Sequence, residues 1–260
     1  MMEKWFLAPI LFVLALLIIL LWPSKPAIPV YGYKNHIVDE DTLLYRFLEP
    51  VHVKRNCSYP LVLFLHGAGE RGSDNEKQLT HGTTIFLEPE NAKRYPCFVV
   101  APQCPEGKRW VEAPWNETIH HMPEKASESI SLVKDLLDYL MEKYPVDPHR
   151  IYITGLSMGG FGTWDLLMRW PDYFAAAAPI CGGGDTSQAE IIKNIPVWFF
   201  HSADDRAVPV ELSRNMALAL ERVGADYRYT EYDDAGHASW KPAYADPDLL
   251  NWMFKQEFDR

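Results

Sequence analysis

Cysteine is sparse in this chain. Four occur in 260 residues, and no two stand as Cys-x-x-Cys. That number fits neither a small disulfide scaffold nor a tetrahedral zinc site. Basic charge is also short: 25 Lys and Arg face 35 Asp and Glu, a net charge of −10. Without a basic stripe to neutralise phosphates, nucleic acid is excluded as a partner. Internal repeats and low-complexity blocks are absent. The chain is long enough for one α/β domain with a sizeable core and short for two.

One stretch departs from an ordinary globular composition. Phe6–Trp22 is uncharged and nearly all apolar, and tryptophans stand at 5 and 22. As a helix, Trp5–Trp22 would span about 27 Å, close to the hydrocarbon thickness of a bilayer. The run has no polar face, which argues against a buried core helix. Tryptophan suits both interfaces of a membrane. Pro26-Ala27 is the one faint cleavage candidate, so residues 1–22 are predicted to be an uncleaved anchor in preference to a cleaved signal sequence. Such an anchor sends the following domain across the membrane, so the domain is expected to be exported. Residues 23–32 carry three prolines and read as a stiff linker. Residues 33–260 are left as the catalytic domain.

From Tyr33 the pattern turns strand-like. Tyr33–Val38 and Thr42–Leu48 around Asp39-Glu40-Asp41 predict a hairpin. Continuous apolar runs at Pro60–Leu65, Phe98–Ala101, Ile151–Ile153, Phe174–Ile180 and Val197–His201 predict strands buried on both faces, with a last strand at Asp226–Tyr232. Helices are expected weakly around Thr83–Lys93 and firmly over Ser127–Lys143, Gly162–Trp170, Glu211–Val223 and Pro247–Phe258. Alternating strands and helices imply a mostly parallel twisted sheet with helices on both faces. Ligands of such sheets bind beyond the carboxyl ends of the strands. The loops that matter therefore begin at His66, Pro102, Gly155, Cys181, His201 and Asp233.

One of these loops carries a motif. The β-branched run from Ile151 drives into Gly155-Leu156-Ser157-Met158-Gly159 and then into a helical pattern. Strand, tight turn and helix are the context of a nucleophile elbow, in which the serine Oγ is exposed on a strained turn. Serine is a weak nucleophile near neutral pH and needs a base within hydrogen-bond reach. His237 follows the last predicted strand, in Asp233-Asp234-Ala235-Gly236-His237, and is the expected base. An acid that orients it should follow Val197–His201, where Asp204 and Asp205 are both available. The N–H of Met158, the residue after the nucleophile, is one expected oxyanion donor.

Four loop segments together carry a resemblance. His66-Gly67-Ala68-Gly69-Glu70-Arg71-Gly72, Ala101-Pro102-Gln103-Cys104-Pro105, the elbow itself, and Pro179-Ile180-Cys181-Gly182-Gly183-Gly184 occur in that order. Together they resemble single-domain esterases of the α/β-hydrolase superfamily related to polyhydroxybutyrate depolymerases and to feruloyl and acetylxylan esterases. These are often described as prolyl-oligopeptidase-like, or as predicted peptidases. The resemblance covers Tyr33 to the C-terminus and implies an α/β-hydrolase fold. His201-Ser202-Ala203-Asp204-Asp205-Arg206-Ala207-Val208-Pro209 resembles the family pattern His-Gly-x-x-Asp-x-x-Val-Pro, which implies Asp205 as the acid and leaves Asp204 a solvated loop charge. Ser202 stands where the family usually has glycine. The same resemblance implies Ala68, or alternatively Gly69, as the second oxyanion donor, with His66 holding the loop.

The expected reaction is hydrolysis of a carboxylic ester through an acyl-enzyme. The short stretch between Gly184 and Ile195 leaves no room for a large lid, which suits an accessible short-acyl or carbohydrate-linked ester, small or polymer-attached. Trp110, Trp115 and Glu70 are the candidate substrate contacts. No cofactor is called for, and His120-His121 lacks a carboxylate at ligand spacing, so no metal is expected. Cys57 and Cys97 precede neighbouring strands of this fold, and an exported domain could join them in a disulfide. A serine peptidase is the nearest rival reading. A non-catalytic anchored binding module is the rival from another class, and such a module would normally lack a member of the triad.

Overall fold

The computed structural model describes residues 29–258. The predicted anchor at 1–22 lies outside the described residues. Among the described residues, no helix is long and apolar enough to cross a membrane. The described residues form eight strands in one sheet: β1 (Gly32–Val38), β2 (Asp41–Leu48), β3 (Tyr59–Leu65), β4 (Phe98–Pro102), β5 (Val146–Leu156), β6 (Ala176–Ile180), β7 (Val197–Ser202) and β8 (Tyr227–Tyr232). Their order is β1-β2-β4-β3-β5-β6-β7-β8. The β1–β2 and β2–β4 pairs are antiparallel, and every other pair is parallel.

The apolar runs explain the layering. Every residue of β3, β4, β6 and β7 is buried, as expected for strands covered on both faces. Alternation then divides the side chains. Leu61, Leu63 and Leu65 enter one core with α2 (Glu128–Lys143), α3 (Met158–Arg169) and α4 (Glu211–Arg222). Val62 and Phe64 enter a second core, on the opposite face, with Ile85, Tyr244, Leu249 and Trp252. Ser127 caps α2, its Oγ accepting a hydrogen bond from the N–H of Ile130 at 3.0 Å. Such a cap is worth about 1 kcal/mol.

Several boundaries differ from the sequence reading. The linker ends earlier than residue 32: Tyr31 is buried, and its hydroxyl donates to the Thr83 carbonyl at 3.1 Å. The weak helix around Thr83–Lys93 is two pieces, a 3-10 turn at Thr83–Phe86 and α1 at Pro89–Arg94. Glu88 is extended between them (ψ 127), because a residue before proline disfavours the helical conformation. The closing helix expected over Pro247–Phe258 ends early, as α6 (Pro247–Met253) capped by the Asp246 carboxylate, and a further helix, α5 (Trp240–Ala245), precedes it. Pro242 makes α5 read as loop. It lies in the first turn, where a missing N–H leaves no helical bond unmade. All four cysteines are free thiols, Cys57 exposed and the others buried, so Cys57 and Cys97 are not joined.

Candidate active site

β5 ends at Leu156 and α3 starts at Met158, so Ser157 alone makes the turn. Its φ of 54° and ψ of −118° are a conformation that side-chain-bearing residues rarely adopt. Packing holds it there. A Cβ at Gly155 would lie 2.4 Å from the Gly159 carbonyl oxygen, and one at Gly159 would lie 2.0 Å from that of Leu65. Only glycine at both places lets helix, turn and neighbouring strand close up. The Ser157 N–H donates to the Ile180 carbonyl at 2.9 Å, tying the turn to β6.

His237 sits in a 3-10 turn, Gly236–Ala238, beyond β8. Its Nε2 is 2.9 Å from Ser157 Oγ, and its Nδ1 is 2.8 Å from Asp205 Oδ2. With Nδ1–H donating to the carboxylate, Nε2 is left to accept the serine proton. Asp205, beyond β7, has a fully buried side chain. Its Oδ1 accepts from the N–H groups of Ala207 at 2.8 Å and Val208 at 3.0 Å. Its Oδ2 also lies 3.3 Å from Nε2 of the buried His201. Burial opposes ionisation of this carboxyl. The hydrogen bonds from His201, His237, Val208 and Ala207 outweigh it and hold the group well below the usual carboxylate range.

Two residues have larger parts than their motif suggests. His201 marked only the start of a motif. In the fold its Nδ1 meets the Ser213 hydroxyl at 2.7 Å, and Nε2 lies 3.1 Å from the Val208 carbonyl, so the ring braces the loop that holds Asp205. Asp204 is not merely a solvated charge. Its Oδ1 accepts from the Gly236 N–H at 2.7 Å and from the Ser202 hydroxyl at 2.7 Å, while Ser202 Oγ accepts from the Ala235 N–H at 2.9 Å. Asp204 and Ser202 thus pin the turn that presents His237. The pinning of that turn cannot be read from sequence, because the Gly236–Asp204 and Ala235–Ser202 contacts join loops 32 and 33 residues apart.

Met158 and Ala68 begin two short helical elements at the ends of adjacent strands, β5 and β3. N–H groups at a helix start lack intrahelical acceptors and point outward. In the sheet, Leu65 and Gly155 are register partners. A Cβ at Gly67 would touch Leu156 Cδ1 at 2.9 Å, so this loop lies close against the elbow. Gly69 lies one residue further along the same turn, on the exposed side. His66 braces the loop from beneath: its Nδ1 is 2.6 Å from the Gly67 carbonyl, and its Nε2 accepts from the Cys104 N–H at 2.9 Å. Burial pulls its pKa down to about 4, so the ring is neutral, with the proton on Nδ1.

The tentative substrate contacts divide. Trp110 is fully buried, and its Nε1 donates to the His66 carbonyl at 3.0 Å. It packs under the loop and does not face a substrate, which corrects the expectation drawn from its place in an active-edge loop. Trp115 is half-buried, and the Arg109 guanidinium covers its ring at 4.2 Å. The Glu70 side chain is mostly buried, 3.8 Å from His81 Nε2. Trp240, which no sequence motif singles out, stands edge-on to His237 with ring centroids 5.4 Å apart, and its ring is also 5.4 Å from that of His81. Its spacing of three from His237 was the available signal.

The thiol of Cys181 lies within 4.8 Å of donor atoms of Asp205 and His237. Burial pushes this thiol up to about 12. A metal there would need the thiolate and would displace the Asp205–His237 hydrogen bond, so the residues do not suit a metal.

Comparison with known proteins bears on the fold and the family. A crystal structure of a thermostable esterase is 41% identical with a TM-score of 0.81, covering 87% of this chain and 63% of its own. Poly(3-hydroxyalkanoate) depolymerase C of Paucimonas lemoignei is 32% identical over 130 residues, 48% of this chain and 28% of the depolymerase. Carboxylesterase SOBER1 of Arabidopsis thaliana is 24% identical over 192 residues, 68% of this chain and 82% of that protein. The chain thus spans less than two thirds of the length of the first two. The family model described as phospholipase/carboxylesterase matches residues 49–246, and the chain, with its α/β-hydrolase fold, belongs to that family.

Proposed function

We propose that this protein is a serine carboxylesterase in which Ser157, His237 and Asp205 act as nucleophile, base and acid. The observation that carries the reading is the unbroken hydrogen-bond chain from Ser157 Oγ through His237 to Asp205, assembled from loops after three different strands. Ser157 Oγ attacks the ester carbonyl carbon as His237 Nε2 takes its proton. The oxyanion of the tetrahedral intermediate faces the N–H groups of Met158 and Ala68. Collapse expels the alcohol, which leaves with the proton from His237. Water, deprotonated by the same ring, then releases the acid and restores Ser157. Asp205 stays ionised throughout, holding the imidazole and stabilising the imidazolium.

The preferred substrates in this reading are accessible short-acyl or carbohydrate-linked esters. In support, the segment between β6 and β7 holds one short 3-10 turn, Thr186–Gln188. A feruloyl esterase module from Clostridium thermocellum aligns with a TM-score of 0.66 at 15% identity, which speaks for the fold alone. In this reading Trp240, edge-on to His237, and Glu70, in the loop after β3, are the side chains nearest the bound ester. Tethering to a membrane through Trp5–Trp22, with the domain exported, rests on the sequence of that segment. The test is labelling by a fluorophosphonate. Wild type labels, Ser157→Ala does not, and short acyl esters turn over faster than peptide amides. Absence of labelling in folded wild type would sink the proposal, and faster cleavage of amides would make the protein a peptidase.

A further inference from the structure

The edge of the sheet opposite Ser157 has a different character. A groove of about 1020 Å³ runs past the amino ends of β3, β4 and β5, lined by Pro29, Tyr59, Pro96 and Phe254 among others. Lys54, Lys93, Arg94, Arg150 and Lys255 also line it, against a single acid, Glu90. That is a local reversal of sign in a chain of net charge −10. Arg150 is paired with Asp147 at 2.7 Å. Lys54, Lys93 and Lys255 are exposed and have no carboxylate partner among the described residues. Inside the groove, the Tyr95 hydroxyl is buried without a hydrogen-bond partner among the described residues.

The chain's path gives this face a neighbour. Pro29 lies in the groove wall, seven residues beyond Trp22 and the apolar run. Seven residues in extended, proline-rich form reach about 22 Å. If Trp22 stands at a membrane interface, the face that stays within reach is this one. The catalytic edge lies the length of β3 further out, about 20 Å for its seven residues. Anionic headgroups attract clustered Lys and Arg over roughly a Debye length.

We propose that this groove is a membrane-docking face. Lys54, Lys93, Arg94 and Lys255 meet the headgroup phosphates of an anionic bilayer, and Ser157 therefore opens away from the lipid. The esterase then works on substrates arriving from the aqueous side, not on the bilayer that holds it. This extends the tethering proposed above and is independent of the ester chemistry.

Cys57 makes the test direct. It lines the groove and is the exposed cysteine, the other three being buried. The full chain is labelled there with a maleimide fluorophore and reconstituted into vesicles carrying a headgroup-labelled acceptor lipid. Energy transfer should be stronger with phosphatidylglycerol than with phosphatidylcholine alone, and should fall as salt rises. K54E/K93E/K255E should lower it to the phosphatidylcholine value while leaving turnover of a soluble ester unchanged. A fluorescent phosphonate at Ser157 should transfer less than the Cys57 probe. Equal transfer in both lipids, indifference of wild type to salt, a Ser157 probe nearer the lipid than Cys57, or failure of the chain to float with vesicles would each overturn the proposal. The linker or a second copy filling the groove would give the first two results. Failure of Ser157 to take the phosphonate would count against the esterase reading and leave the Cys57 result intact.

Discussion

Ser157 is held by packing, whereas Asp205 and His237 are held by hydrogen bonds. Around the elbow, backbone meets backbone: Gly155 against Gly159, Gly159 against Leu65 and His66, and the Ser157 N–H on the Ile180 carbonyl. Around the acid and base, polar groups do the positioning: four donors approach Asp205, and Asp204 and Ser202 hold the turn at Gly236. Close packing has no slack, since one added methyl group has nowhere to go. A hydrogen-bonded loop can lose one member and keep most of its shape. The nucleophile's position should therefore fail as a whole, and the base's position by degrees.

Asp205→Asn is the strongest test of the hydrogen-bonded side. The amide offers N–H where His237 needs an acceptor, so the ring turns to the wrong tautomer, and kcat/KM should fall by about 10⁴-fold. Steady-state kinetics on a short acyl ester check it. On the packed side, Gly159→Ala places a Cβ 2.0 Å from the Leu65 carbonyl oxygen. It should cost about 3 kcal/mol of stability or more, read as a shifted urea midpoint with unchanged slope.

The packed side also has a titratable brace. His66 has a folded-state pKa of about 4 against 6.5 for the ordinary residue, so the unfolded chain binds its proton first as pH falls. Stability from this group is complete above about pH 6.5 and declines toward pH 4, by about 3 kcal/mol in all. Unfolding midpoints across that window should fall more steeply in wild type than in His66→Gln. The smallest effect is expected at Asp204→Ala, which removes one acceptor from the Gly236 turn. Turnover should drop about tenfold with KM little changed, as for one charge-assisted hydrogen bond. A loss as large as that of Asp205→Asn would erase the contrast between Asp204 and its neighbour.

The same contrast sorts what could be read from sequence. The elbow is local, since strand, glycines and helix occur within a dozen residues, and the buried strands follow from continuous apolar runs, whereas their order in the sheet does not. The sequence alone offered both Asp204 and Asp205, and only the resemblance to the family pattern ending in Val208-Pro209 pointed to Asp205, which the fold places against His237 Nδ1. What Asp204, Ser202 and His201 do was not legible, because their partners Gly236, Ala235 and Ser213 come from the turn beyond β8 and from α4 only after folding. Trp110 shows the converse. Its loop was correctly placed on the active edge, yet an aromatic in such a loop can point either way, and here it fills the space under His66. Pro242 hid α5 because a first-turn proline and a loop proline look alike in one dimension.

The central claim is that an acyl group passes through Ser157. Mixing the protein with p-nitrophenyl acetate, quenching in acid within the first turnovers and mapping the peptides by mass tests it most directly. Acetyl is expected on the peptide carrying Ser157 in wild type, and none in Ser157→Ala or His237→Ala. Turnover without acetyl at Ser157, or acetyl found instead on Cys181, would contradict it.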